Sequence, residues 1–217
     1  MKTIIFDLDG TILDTLPDLK TAVNFALAQY ELPPVSLEYV RKAVGNGTRM
    51  LVRRCIPKGT PETLYNEIFE TFRVYYAAHA FEETKPYPGI KEVLIRLKAD
   101  HQLAVISNKD NDLAKRIITR FFPYLFDIVQ GSYLDKPKKP HPYLIEKVLR
   151  ENNIKREECL FIGDSEVDKE TATNAKIKYK LVNYGYRTKE ELLNTCPKDT
   201  SIDSIPALFA EIIEWKN

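Results

Sequence analysis

The sequence predicts an α/β fold: a Rossmann-like, doubly wound parallel sheet carrying a small all-helical domain inserted near its start. Three observations predict it. Short apolar runs rich in β-branched residues alternate with helical patterns over most of the chain, the signature of a parallel sheet covered by helices. The segment from 16 to 84 breaks that alternation, with apolar residues at helical spacing and no convincing strand. Polar residues gather directly after the predicted strands, where open α/β sheets hold their ligands.

In chain order, the predicted strands are Thr3-Ile4-Ile5-Phe6, Leu103-Ala104-Val105-Ile106, Phe126-Asp127-Ile128-Val129, Cys159-Leu160-Phe161-Ile162 and Tyr179-Lys180-Leu181-Val182. The first, second and fourth are apolar nearly throughout, which suits central strands buried on both faces. Helices are expected near 90 to 99, 112 to 121, 142 to 152, 168 to 175 and 205 to 216. Within the inserted segment, Leu16, Leu19, Val23, Leu27 and Tyr30 trace one helix, which Pro33-Pro34 ends. Gly45-Asn46-Gly47 interrupts the next helix, and Pro57, Gly59 and Pro61 precede a helix from about 62 to 80. Thr84-Lys85-Pro86-Tyr87-Pro88-Gly89 reads as a rigid return linker. The boundaries follow: residues 1–15 and 85–217 form the core, and 16–84 the helical insertion.

Composition excludes several classes. The 217 residues hold 32 Lys+Arg against 31 Asp+Glu, a formal charge of +1, so no field of one sign favours nucleic acid or an anionic membrane. With 44% hydrophobic and 29% charged residues and no low-complexity tract, the chain is neither disordered nor fibrous. Asp7 and Asp9 interrupt the N-terminal apolar run before a signal segment or membrane span develops, which makes a cytoplasmic protein the expectation. Cys55, Cys159 and Cys196 are odd in number and lack a CxxC pair. They read as small buried hydrophobes, not as a disulfide or zinc framework.

Chemistry-bearing residues follow the strands. Asp7-Leu8-Asp9-Gly10-Thr11 sets two carboxylates at i and i+2, roughly 6.5 to 7 Å apart on one side of an extended chain, with Leu8 turned inward. Gly10 permits a sharp turn. Ser107-Asn108 offers a hydroxyl and backbone N–H groups suited to an oxyanion. Asp135-Lys136-Pro137-Lys138-Lys139-Pro140-His141-Pro142 is a basic, proline-stiffened segment able to set a cation on an anionic substrate. Gly163-Asp164-Ser165-Glu166-Val167-Asp168 puts two or three carboxylates at a helix start. Oxygen ligands without a His or Cys cluster point to Mg²⁺. Alone, each cluster has an ordinary reading as a turn, a helix cap or a solvated face. Four of them, each directly after a predicted strand, favour a functional site.

These clusters, in this order, resemble the four motifs of the haloacid dehalogenase (HAD) superfamily of phosphohydrolases, the third motif being Lys139-Pro140-His141-Pro142, and the match spans nearly the whole chain. The insertion resembles the helical cap of that family. Val44-Gly45-Asn46-Gly47-Thr48-Arg49 and Val182-Asn183-Tyr184-Gly185-Tyr186-Arg187 resemble its phosphoglycolate phosphatase branch. The resemblance implies that Asp7 attacks phosphorus to form an aspartyl-phosphate, and that Asp9 protonates the leaving group and then deprotonates water. It assigns Mg²⁺ to Asp7, Asp164 and the backbone carbonyl of Asp9, with Asp168 ligating the ion or orienting a bound water. Ser107, Lys139 and the backbone N–H groups of Leu8 and Asn108 would hold the phosphoryl oxygens. Lys139 is preferred to Lys136 because it opens the Lys-Pro-x-Pro pattern. Gly45, Asn46 and Gly47 are expected to face the core as a substrate loop, and Arg49 to take a second anionic group such as a carboxylate. One departure is Ala175-Lys176, where relatives commonly carry Ala-Gly, so a flexible C-cap residue is lost.

The expected activity is Mg²⁺-dependent hydrolysis of a small phosphorylated metabolite by a monomer or homodimer, with phosphoglycolate phosphatase as the nearest type. A sugar phosphomutase of the same superfamily would share every core residue. A phosphorylatable receiver-like signalling module is the alternative from another class, but it needs neither a helical insertion nor an acid two residues after its nucleophile. A dehalogenase needs no such acid either, so Asp9 favours phosphorus chemistry.

Overall fold

Burial on both faces explains why the central strands are apolar throughout. In the computed structural model, which describes residues 1–195 and 201–216, β1 (Thr3–Phe6) is buried at every position. Two short strands, β2 (Leu13–Asp14) and β3 (Lys85–Pro86), form a separate two-stranded sheet where the chain leaves and re-enters the first unit. The main sheet adds β4 (Gln102–Asp110), β5 (Ile128–Ser132), β6 (Cys159–Gly163), β7 (Lys178–Val182) and β8 (Ser201–Ile202). Its order is β5-β4-β1-β6-β7-β8, with parallel pairing throughout. The chain runs outward from β1 through β4 and β5, then returns to the other side of β1 as β6. That reversal is the topological switch point where open α/β sheets form ligand crevices.

The chain divides into Met1–Asp14 together with everything from Pro86 onward, and Thr15–Lys85. In the first unit, one core cluster joins Ile5, Ala104, Ile106, Cys159 and Phe161 of the sheet to helix residues such as Leu144, Ile145, Val148 and Ala172. The second unit comprises α1 (Leu16–Gln29), α2 (Leu37–Ala43), α3 (Thr48–Cys55) and α4 (Glu62–His79). Ser36 caps α2 by accepting from the Tyr39 N–H, and Gly47 takes φ +83° before α3, a conformation that favours glycine. The ends of this unit are tied by Asp18, whose carboxylate accepts from the backbone N–H groups of Glu83 and Thr84 and from Thr84 Oγ1.

The remaining helices are α5 (Ile90–Lys98), α6 (Asn111–Phe121), α7 (Tyr143–Glu151), α8 (Glu166–Asn174), α9 (Lys189–Thr195) and α10 (Ile205–Lys216). Several bounds depart from the sequence reading. The third strand of the main sheet by sequence starts at Ile128, not Phe126, whose half-buried ring packs edge-on against the buried rings of Phe6 and Phe122. The strand predicted to stop at Ile106 runs on to Asp110 through polar but buried residues. Helix α8 begins at Glu166, two residues before the expected start. The paired strands β2, β3 and β8 are only two residues each and carry no periodicity to read. Lys176 adopts φ +56°, so the chain makes the left-handed turn after α8 without the glycine that eases it. Cys55 and Cys159 are buried, and Cys196 lies outside the described residues. Among the described residues, no helix is long and apolar enough to cross a membrane.

Candidate active site

The site grows from the tips of β1, β4 and β6. Asp7 is the first residue past β1, and its N–H donates to the Ile162 carbonyl at 2.8 Å, which pins it beside β6. The Leu8 side chain is fully buried, and its carbonyl accepts from the N–H groups of Thr11, Ile12 and Leu13, so the chain coils back at once. Gly10 turns with φ +84°, and a Cβ there would lie 2.3 Å from Asp164 Oδ2. Only glycine lets the β1 and β6 loops approach this closely.

From β6, Asp164 enters the same space, its Oδ2 accepting from the Tyr186 N–H at 2.7 Å. Asp168, in the first turn of α8, folds back: its Oδ2 accepts from the N–H groups of Asp164 and Ser165 and from Ser165 Oγ. Its Oδ1 accepts from Lys139 Nζ at 2.7 Å. Lys139 is 3% exposed, and Asn108 fixes its backbone, Oδ1 accepting from the Lys139 N–H at 2.8 Å and Nδ2 donating to the Lys139 carbonyl at 3.0 Å. By contrast, Lys136 is exposed and pairs with Asp135.

Charge in this cluster does not balance locally. Asp7, Asp164 and Asp168 each offer an oxygen within 4.8 Å of the others. Lys139 Nζ is 2.7 Å from both Asp7 Oδ1 and Asp168 Oδ1, so one ammonium is shared between two buried carboxylates. Burial pushes the Asp7 carboxyl up to about 7; Lys139 opposes the rise, while Asp168 and Asp9 add to it. Burial likewise holds Asp164 well above the ordinary carboxylate range, with Asp168 and Asp7 contributing. Burial disfavours the Lys139 ammonium, but Asp168 and Asp7 outweigh it and raise its pKa. Three buried carboxylates, two of them sharing one ammonium and all with hard oxygen donors, suit a hard cation such as Mg²⁺.

Asp9 stands apart from that cluster and has its own cation, Lys109 Nζ, 3.0 Å from its Oδ1. The sequence reading stopped at Ser107-Asn108 and missed Lys109. The available signal was its position as the next residue after that motif. Ser107 is buried, and its Oγ accepts from the Lys109 N–H at 3.2 Å. The Tyr186 N–H was also missed, since a backbone donor has no sequence identity. The remaining expected residues lie in the second unit. There Asn46 Oδ1 accepts from Arg54 at 2.6 Å, and Gly45 and Gly47 take φ +131° and +83°. Arg49 stacks 4.5 Å over the Phe69 ring and donates to Asn66 Oδ1 at 3.4 Å.

Residues 4–182 match the model of the haloacid dehalogenase-like hydrolase family, a span that includes every strand-end cluster described above. The chain belongs to this family. The protein of Vibrio parahaemolyticus serotype O3:K6 named phosphoglycolate phosphatase is 32% identical to it over 220 residues, covering 96% of this chain and 95% of that relative. The Aquifex aeolicus protein of the same name is 34% identical over 189 residues, covering 86% of each. A crystal structure described as a predicted phosphoglycolate phosphatase from Haemophilus somnus 129PT superposes with a TM-score of 0.88 at 30% identity, covering 100% of this chain and 98% of that one. This HAD hydrolase is an enzyme of the phosphatase type, similar to members named for phosphoglycolate.

Proposed function

We propose that this enzyme hydrolyses the phosphomonoester of a small acidic metabolite, of the phosphoglycolate kind, through an aspartyl-phosphate on Asp7. The reading is carried by one observation: Asp7 and Asp168 each lie 2.7 Å from the buried ammonium of Lys139, Asp164 offers a third carboxylate within 4.8 Å of both, and Asp9 stands two residues beyond the nucleophile.

Asp7 attacks phosphorus as the ester P–O bond breaks, and Asp9 gives its proton to the departing alkoxide. Asp9 then takes a proton from the water that attacks phosphorus, releasing phosphate and restoring the Asp7 carboxylate. Lys139, Ser107 and the backbone N–H groups of Leu8 and Asn108 hold the phosphoryl oxygens, because phosphoryl transfer is mainly positioning and charge neutralisation. Asp168, with both oxygens engaged, positions Lys139 and the backbone of Asp164 and Ser165. Asp7 and Asp164, with the Asp9 carbonyl, would hold Mg²⁺. When bound, the ion supplies the charge that offsets repulsion between these carboxylates and a phosphate dianion. Substrate selection by Gly45, Asn46, Gly47 and Arg49 is carried over from the family resemblance.

The test is a panel of phosphate esters with Mg²⁺ present or chelated. Mg²⁺-dependent phosphate release that is fastest on 2-phosphoglycolate is the expected result. Isomerised hexose phosphate without free phosphate would replace this reading with a mutase, and a stable phosphoprotein without turnover would replace it with a signalling module.

A further inference from the structure

Among the described residues, the mechanism above leaves the buried cation Lys109 unused. Lys109 has a side chain only 1% exposed, and removing an ammonium from water is costly unless the fold pairs it. Its position is built, not incidental. Between the pairs Ile106↔Gln130 and Asp110↔Ser132, β4 sets three residues, Ser107 to Lys109, against Gly131 alone. Bulges of this kind re-aim side chains beside active sites. The partner strand is shaped to accept it. A Cβ on Gly131 would fall 2.8 Å from the Lys109 carbonyl and 2.4 Å from Asn111 Cα. Ser132 Oγ donates to the carbonyls of Asn108 at 2.8 Å and Lys109 at 3.3 Å, which fixes the bulged backbone from below.

We propose that Lys109 recognises a carboxylate on the leaving group of the substrate. The proposal rests on the phosphatase reading and deepens it. Two lysines are buried at this site and divide the work: Lys139 lies against the nucleophile, Lys109 against the acid. Asp9 must come within about 3 Å of the ester oxygen to protonate it. Because Lys109 Nζ is 3.0 Å from Asp9 Oδ1, ester oxygen and ammonium are both neighbours of one carboxyl, within about 6 Å of each other where both meet Oδ1 and about 8 Å where the proton sits on Oδ2. A carboxylate on the carbon next to the ester oxygen bridges that gap and reaches ion-pair distance from Nζ. A neutral leaving group brings the ammonium no such charge. A single ammonium matches a carboxylate of one charge better than a second phosphate of two.

The test compares kcat/KM for 2-phosphoglycolate and ethyl phosphate, which differ by the carboxylate, in the Mg²⁺-loaded wild type and in Lys109→Gln. The variant should lose about 10- to 100-fold more on 2-phosphoglycolate than on ethyl phosphate, the range of a charge-assisted hydrogen bond, and mostly through KM. Lys109→Arg should recover part of the difference. Equal losses on both esters would mean that Lys109 serves only to position Asp9, and unchanged kinetics on both would give it no part in the site; either overturns the proposal. Glycolate should inhibit the wild type where ethylene glycol does not, a measurement that needs no variant, and equal inhibition by the two would also overturn it. Failure of the wild type to release phosphate from any ester would instead defeat the phosphatase reading itself.

Discussion

The two units of this chain treat buried charge in opposite ways. In the unit containing the main sheet, Asp7, Lys109, Lys139, Asp164 and Asp168 are all buried, and all lie at strand tips or in the loops and helix turn that follow. In Thr15–Lys85, Asp18 is the buried charged residue among those described, and neutral donors of Glu83 and Thr84 satisfy it. Acidic groups such as Glu38 and Glu70 there form surface pairs, with Arg41 and Arg73. Asp18 is therefore fully compensated and structural, while the sheet unit holds more carboxylate than its lysines neutralise. A fold concentrates uncompensated charge where a ligand is to complete it.

The strongest way to break this contrast is Asp7→Asn. Turnover should fall by at least about 10³-fold while the fold persists, since a neutral amide relieves rather than creates buried charge. Phosphate-release kinetics and a thermal melt check both halves, and an active variant would remove the nucleophile.

Asp18→Ala should have the opposite character. It leaves three donors without their acceptor, costing about 3 kcal/mol and lowering Tm by about 6 to 12 °C in a chain of this size. Calorimetry reads the shift. A melt matching wild type would mean that Asp18 is not the tie it looks to be.

Proton linkage sharpens the comparison further. In metal-free protein, Asp7 is pushed up to about 7 from 3.8 and Asp164 is raised with it, so the folded state binds more protons than the unfolded chain at intermediate pH. The stability these groups contribute is fully present below the ordinary carboxylate value and is lost as pH rises through about 7. Melts in chelator should therefore show Tm falling between about pH 5 and pH 8, and added Mg²⁺ should reverse the fall. A Tm that rises over that range would contradict the charge imbalance.

The smallest expected effect lies in the sheet unit, away from its buried charges. Lys176 is held at φ +56°, which costs a side-chain-bearing residue about 1 kcal/mol. Lys176→Gly should raise Tm by about 2 to 4 °C without touching activity.

What could be read in the sequence follows the range of the underlying forces. β1 and β6 were legible because burial on both faces demands unbroken apolar residues, and Asp7, Asp9, Lys139 and Asp164 stood out as charged types directly after or between such runs. The end of β4 was not legible, because Ser107, Asn108 and Lys109 are polar yet buried, and periodicity reports only apolar burial. Asp168 was expected to ligate the ion or to orient a bound water; that one of its oxygens meets Lys139 and the other the backbone and Ser165 hydroxyl at the start of α8 is visible only in the folded chain.

By itself the sequence determined the alternation of strands and helices, the helical insertion and the positions of the acids relative to strand ends, because these depend on side-chain period and on neighbours a few residues away. Tertiary structure alone decided which lysine faces which carboxylate. That assignment depends on sheet order and on a bulge in β4, which bring together residues far apart in the chain, and ion pairing at 3 Å is too short-ranged to be inferred until those backbones are in place.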